Sequence, residues 1–200
     1  MINSGLIKEL KKIVGDDYVM HHPDELLVFQ YDGSTDKSLP DVVVFPKSSE
    51  DISSIVKLAN KYDQYIIPRG AGTGLSGGAV PMYGGIELVL TRMNSILSID
   101  VENRLALVEP GVVNLDLSKY VYSMGLFYAP DPSSQISCTI GGNIAENSGG
   151  PHCLKYGVTT NHVLACEIVT ESGDIIWLGD RFRNVPGYDL LGGFVGSEGM

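Results

Sequence analysis

The chain has 200 residues, 44% hydrophobic and 19% charged, a balance that supports a globular core and excludes a disordered chain. Fourteen basic against 24 acidic residues leave a formal net charge of -10, which repels nucleic acid and anionic membrane over most of the surface, so any phosphate must be held locally. No apolar run approaches the ~18 residues of a membrane span.

In chain order, Leu6, Ile7, Leu10 and Ile13 recur at helical spacing behind Asn3 and Ser4, with Gly15 placed to stop the helix. The lysines and acids mixed into this segment do not make a secretory signal. A weakly patterned stretch through His21, His22 and Tyr31-Asp32-Gly33 follows. Asp41 to Phe45 then reads as a buried strand ended by Pro46. Ser48-x-x-Asp51 resembles a capping box before the helical pattern Ile52, Ile55, Val56, Ala59. Tyr65 to Ile67 is a second strand, so a βαβ unit is expected, with its two strands parallel and a glycine loop leaving the second.

Ile86 to Leu90 and Leu105 to Glu109 are further strand candidates, the latter after the turn residues Glu102-Asn103-Arg104. A helix is expected from about Leu115 to Met124, capped by Asn114 and stopped by Gly125, ahead of the irregular Ala129-Pro130-Asp131-Pro132-Ser133-Ser134. Val163 to Thr170 and Asp174 to Leu178 flank Glu171-Ser172-Gly173 as an antiparallel hairpin. The simplest division is an N-terminal helical segment over 1–38, a parallel lobe over 39–100 and an antiparallel α+β lobe over 101–200. The last residues are turn-formers with no closing element, which suggests a fragment or a subunit completed by another chain.

Three cysteines, Cys138, Cys153 and Cys166, lack the even count of a disulfide framework and the C-x-x-C spacing of a zinc site. Reduced thiols and a cytoplasmic location are expected.

Glycine is concentrated where chemistry is expected. Seven of the sixteen residues from Gly70 to Gly85 are glycine. The stretch Pro68-Arg69-Gly70-Ala71-Gly72-Thr73-Gly74-Leu75-Ser76-Gly77-Gly78 fits three patterns at once. Gly72, Gly74 and Gly77 fit G-x-G-x-x-G, but the dinucleotide fingerprint needs a helix N-terminus to receive the diphosphate, and the residues that follow do not read as a helix. A Walker A loop needs lysine where Gly78 stands. Gly74 to Gly78 fits the G-x-S-x-G nucleophile elbow around Ser76, again without the helix and without an evident histidine partner. What remains beside a flexible surface loop is a nest of main-chain N–H groups suited to a diphosphate. Arg69 would either add charge to that site or fix the loop to a carboxylate.

The second cluster runs from Asp131 through Thr139, Gly141, Gly142, Asn143 and Ala145 to Gly149 and Gly150. Small residues and hydroxyls of this kind can lie flat against an aromatic ring system and bind its polar edges, or form a tight helix-packing loop. Taken with the first loop, it favours a long ligand between two lobes. His152 beside Cys153 reads as a packing pair, Cys138 as a small buried residue and Glu146 as a paired or solvated carboxylate.

Five motifs in order, Pro68 to Gly78, Glu109-Pro110-Gly111, Asp131 to Ser134, Thr139 to Gly150 and Lys155 to Leu164, resemble the FAD-linked oxidases of the vanillyl-alcohol oxidase superfamily. Within it, the branch of the glycolate oxidase FAD subunit and D-lactate dehydrogenase is the most similar. The resemblance covers about Leu39 to Gly199. It implies a PCMH-type FAD-binding fold of the α+β class, with a small parallel βαβ lobe and a largely antiparallel α+β lobe that is C-terminally incomplete.

It also implies site residues. Pro68, Arg69, Gly70, Ala71, Gly72, Thr73, Gly74, Leu75 and Gly78 would cradle the FAD diphosphate. Pro110, Gly111, Asp131, Pro132, Ser133 and Ser134 would lie along the cofactor. Thr139, Gly141, Gly142, Asn143, Ala145, Gly149, Gly157 and Val158 would surround its flavin and adenine parts. Relatives with covalent FAD carry a histidine in the first loop, where this chain has Thr73, so the resemblance implies noncovalent FAD. The family's substrate-binding cap and histidine-rich C-terminal motif, which supplies the base and often a metal site, are not found in these residues, so no catalytic or metal residue is assigned. The expected activity is hydride transfer from C2 of a 2-hydroxy acid such as D-lactate or glycolate to flavin N5 in a complete enzyme. The other reading is a noncatalytic nucleotide-binding module that needs a partner chain.

Overall fold

The computed structural model describes residues 3–182 and 186–200. By its internal contacts the chain divides into two units, one of residues 1–92 with 167–176 and one of 93–166 with 177–200.

The first unit opens with α1 (Ser4–Val14), which begins where Asn3 Oδ1 accepts the Gly5 N–H and stops at Gly15, whose φ of 95° ends the helical path. Then come β1 (Val19–Met20), the short α2 (Pro23–Leu26) with a 3-10 turn over Leu27–Phe29, and β2 (Val42–Val44). Next is α3 (Ser49–Tyr62), capped by Ser48 Oγ on the Asp51 N–H. The reciprocal half of the box is displaced by one residue, because Asp51 Oδ2 accepts from the N–H of Lys47. β3 (Ile66–Arg69) and β4 (Ile86–Val89) complete a sheet ordered β1-β2-β4-β3.

β2 and β3 are both parallel to β4, which lies between them, while β1 is antiparallel to β2. The strands of the expected βαβ unit are therefore parallel but not neighbours. The second strand also runs two residues further than the sequence pattern indicates. Pro68 and Arg69 belong to β3 rather than to the loop, and proline is tolerated because β3 is an edge strand.

Strand alternation divides the apolar residues between the two faces. Val42, Val44, Ile86 and Leu88 pack with Leu6, Leu10 and Val14 of α1 and Ile55, Leu58 and Ala59 of α3. Val43 and Val89 face the other way, toward Leu26, Met20, Phe29 and Phe45.

The second unit begins with the antiparallel pair β5 (Ile96–Asp100) and β6 (Leu105–Val108). Asp100 Oδ1 accepts the Asn103 N–H in the turn between them. α4 (Asn114–Tyr122) follows, then α5 (Ile140–Glu146) and α6 (Cys153–Tyr156). Val112, Leu117, Val121 and Ile140 form this unit's core, with Ile96, Ile99, Val108 and Ile144 packed against it. β7 (Ala165–Val169) and β8 (Ile175–Gly179) form a hairpin, and α7 (Leu190–Phe194) is capped by Asp189. The hairpin's turn belongs to the first unit, where α3 holds it: Ser53 Oγ donates to Gly173 O and Asn60 Nδ2 to Glu171 O.

Two expectations are corrected. Asn114 does not cap α4. The cap position is Val113, with no side-chain bond, and the Asn114 side chain turns into the protein. The second glycine cluster is not a loop throughout. Residues 140–146 are helical, with Thr139 Oγ1 accepting the Gly142 N–H at the cap. Gly141 and Gly142 lower helix propensity enough to hide the element, and tertiary contacts supply what propensity lacks. Mixed α and β content with parallel and antiparallel pairing bears out the α+β class.

Candidate functional site

In the first unit, β3 delivers the chain into a loop over 70–78 that contains no helix. That removes the strand-to-helix geometry that both the dinucleotide fingerprint and the nucleophile elbow require. Among the described residues, the N–H groups of Ala71, Gly72, Thr73, Gly74 and Leu75 donate to no protein acceptor. The loop's carbonyl side is instead tied down: Gly74 O accepts the Gly33 N–H at 2.8 Å. A Cβ on Gly33 would stand 2.7 Å from that same oxygen, so the Tyr31-Asp32-Gly33 segment lies against the loop's main chain.

Arg69 explains why the loop keeps its shape. Its side chain is only 8% exposed. The guanidinium donates to Tyr31 O at 2.7 Å, Phe29 O at 3.4 Å, Ala79 O at 3.5 Å and Glu87 Oε1 at 3.0 Å. Of the two roles the sequence left open, the hydrogen bond to Glu87 shows its side chain fixing the loop to a carboxylate. Gly72, at φ +68°, rests directly on the guanidinium, since a Cβ there would come 2.2 Å from Nη2. Glycine is required both for the left-handed backbone and for the missing side chain.

Glu87, on β4, is fully buried. Burial pushes its carboxyl up to about 7, against the opposing pull of Arg69. Sequence reasoning missed it, although a glutamate inside Gly85-Ile86-Glu87-Leu88-Val89 is a buried-charge signal that calls for an arginine nearby.

In the second unit, the residues singled out from the sequence form two connected groups. The first joins Pro110 to α5. Gly141 N donates to Pro110 O, and a Cβ on Gly141 would meet Pro110 Cβ at 2.7 Å. The second joins Asp131 to the segment after α5. Asp131 Oδ1 accepts the His152 N–H and Oδ2 lies 3.0 Å from His152 Nδ1. Gly149 packs on Cys153 Sγ and Val158 Cγ1, and the Val158 N–H donates to Asn161 Oδ1. Pro132 O and Ser134 O each accept from the turn that follows, fixing residues 132–138 without regular structure.

Asn143 is different in kind. Its side chain is buried, donates to Cys138 Sγ and Ser148 Oγ, and accepts from Asn114 Nδ2 at 2.8 Å, while Asn114 also donates to Pro130 O. This amide network binds α4, α5 and the 129–134 stretch to each other from beneath. Asn114 was read from the sequence only as a cap. Among the described residues no group of three or more His, Cys, Asp and Glu gathers in metal-binding geometry, and no helix is long and apolar enough to cross a membrane.

The loop after β3, with the N–H groups of Ala71 to Leu75 meeting no protein acceptor among the described residues, has the main chain of an anion nest suited to a diphosphate. Residues 40–179 match the family described as an FAD binding domain. The glycolate oxidase subunit GlcD of Escherichia coli K12 is 44% identical over 198 residues, which is 98% of this chain and 40% of that protein. D-2-hydroxyglutarate dehydrogenase of Stutzerimonas stutzeri is 38% identical over 201 residues, covering 100% of this chain and 43% of the relative. D-lactate dehydrogenase of Archaeoglobus fulgidus is 44% identical over 159 residues, or 79% of this chain and 35% of that one. Among solved structures, alkyldihydroxyacetonephosphate synthase superposes with a TM-score of 0.86 at 26% identity, over 100% of this chain and 37% of its own. p-Cresol methylhydroxylase gives 0.72 at 25%, over 96% and 38%. The chain thus spans about two fifths of the length of the curated relatives it matches.

Proposed function

We propose, from the premise that this chain belongs to the FAD binding domain family, that it is the cofactor-holding part of a flavin-dependent 2-hydroxy-acid oxidoreductase. FAD is the cofactor. The observation that carries the reading is the loop over 71–75, whose N–H groups are left undonated while Gly74 O and the side chain of Arg69 are bound to protein. Those N–H groups, with Gly78, would take the diphosphate. Pro110, Gly111, Asp131 and the small residues around Thr139, Gly141, Gly142 and Ala145 would line the rest of the cofactor. Thr73 offers no nucleophilic ring nitrogen, which supports noncovalent attachment.

When bound, FAD supplies a hydride acceptor at flavin N5. This chain's own residues bind and orient it. Arg69 holds the loop in register with β4, Gly72 and Gly141 allow close backbone approach, and the Asn114-Asn143 pair keeps α5 in place. We assign the pocket for a 2-hydroxy acid such as D-lactate or glycolate, and the base that takes its hydroxyl proton, to the remainder of a complete enzyme or to a partner subunit. Two of the histidines are held by protein partners. His152 pairs with Asp131, and His162 Nε2 lies 3.0 Å from Tyr156 O. Cys138, Cys153 and Cys166, none of them in a disulfide, support the cytoplasmic location that is part of the same reading.

Titrating the purified protein with FAD while following flavin fluorescence tests the assignment. One saturable site is expected, with a bound flavin that D-lactate and glycolate do not reduce in the absence of the remainder. No saturable binding of FAD would refute it.

A further inference from the structure

Glu87 stands at the middle of β4 on the sheet face that otherwise presents Val43 and Val89 to Leu26, Phe29 and Phe45. Nothing about packing that face calls for an acid. One carboxylate oxygen takes Arg69, and the other, Oε2, has no partner among the described residues. The acid is therefore incompletely satisfied when ionised, and it sits behind the arginine on which Gly72 rests.

The charge met by an anion at the loop depends on that acid. With Glu87 ionised, the pair beneath the loop is neutral. With Glu87 protonated, Arg69 contributes a full positive charge in a site screened from water, where Coulomb interactions are strong. A diphosphate held by the N–H groups above Arg69 favours the second state. By reciprocity, the proton favours the diphosphate.

From β3 the group facing Glu87 is Arg69. Val43, Val89, Leu26, Phe29 and Phe45 pack on the same face of the sheet, and the ionisable groups on the adjoining segments with a buried side-chain atom lacking a partner among the described residues are His21 and Asp32. Asp32, the other buried carboxylate nearby, adjoins Tyr31, whose carbonyl binds Arg69.

We propose that Glu87 is a positioning residue that sets the charge beneath the diphosphate loop, so that binding of FAD takes up a proton from solvent at the Glu87 carboxylate. The burial that pushes this carboxyl up to about 7 places the effect near neutral pH. The proposal rests on the FAD reading above.

Isothermal titration of FAD into the protein near pH 7, in two buffers of different ionisation enthalpy, reads the proton directly, because the diphosphate diester of FAD does not titrate there. Uptake of a substantial fraction of one proton per FAD is expected. The dissociation constant should rise with pH by up to tenfold per unit above neutrality, the limit for one linked proton. Glu87→Gln, which keeps the hydrogen bond to Arg69, should abolish both the uptake and the slope, and Asp32→Asn should abolish neither. Saturable binding with no proton uptake, or uptake that survives in Glu87→Gln, overturns the coupling and leaves FAD binding intact. Absence of FAD binding at every pH overturns both. Should Glu87→Gln fail to fold, the wild-type calorimetry decides alone.

Discussion

Arg69 Nη1 and Glu87 Oε1 lie 3.0 Å apart across two adjacent parallel strands, and both side chains are withdrawn from water. The pair joins the end of one strand to the centre of the next at the point where the glycine loop departs. Three carbonyls, from Phe29, Tyr31 and Ala79, complete the shell around the guanidinium. A planar fork with five N–H donors can serve four acceptors in this spread, whereas an ammonium with three cannot.

Arg69→Ala should therefore cost about 3–5 kcal/mol, since it leaves a buried carboxyl and three carbonyls without their donor. Arg69→Lys should recover only part of that loss. Urea denaturation at neutral pH gives both numbers. Lysine matching the wild type would mean that charge, rather than the fork, holds the loop.

Gly72 and Gly125 separate backbone strain from loop contact. Both have positive φ, +68° and +74°, but a Cβ on Gly72 would strike the Arg69 guanidinium and one on Gly125 would meet nothing within 4 Å. Gly125→Ala should cost about 1 kcal/mol and leave FAD affinity unchanged. Gly72→Ala should displace Arg69 and weaken FAD binding at least tenfold. Equal FAD affinity in the two variants would show that the diphosphate is held elsewhere.

Much of this was legible in the sequence because it is local. Helix periodicity and caps gave α1 and α3 nearly to the residue, and glycine density marked the two regions to which cofactor contacts are assigned in the proposal. The absence of a helix after Gly78 followed from Pro81 and the strand pattern of Ile86-Glu87-Leu88-Val89. The remainder depends on contacts between distant residues. α5 was hidden because Gly141 and Gly142 are poor helix formers, and its path is set by Pro110, about thirty positions earlier. Asn114 looked like a cap because asparagine favours that position, yet its amide serves Pro130 and Asn143 instead. β4 lies between β2 and β3 although the three appear in a different order along the chain, which no local pattern reports.

Burial of Glu87 has a consequence for the protein free of ligand. Its carboxyl is raised from an ordinary 4.5 to about 7, so between these values the folded chain holds a proton that the unfolded chain has released. Stability then falls as pH rises through this window, by at most about 1.4 kcal/mol per unit, or roughly 3 kcal/mol in all. Below about pH 4.5 the group is protonated in both states and adds no slope. Glu87→Gln should flatten the decline, gaining on wild type as pH rises from about 4.5 to about 7 and holding that difference above it. Denaturation midpoints from pH 5 to 8 check this, and parallel curves for the two proteins would contradict it.

The amide pair in the second unit should behave as one object. Asn114 Nδ2 is shared between Pro130 O and Asn143 Oδ1, and Asn143 Nδ2 between Cys138 Sγ and Ser148 Oγ. Truncating either leaves buried polar atoms unpaired, so Asn114→Ala and Asn143→Ala should each cost about 2–3 kcal/mol. Because each single change already breaks the shared bond, the double variant should cost about 1–2 kcal/mol less than the sum. Ser133→Ala, at an exposed position of the stretch that the network supports, should change stability by less than about 0.5 kcal/mol. A double-mutant cycle on denaturation free energies measures the coupling. Strict additivity would mean that α4 and α5 are held by their apolar contacts alone, with Asn114 and Asn143 merely accommodated between them.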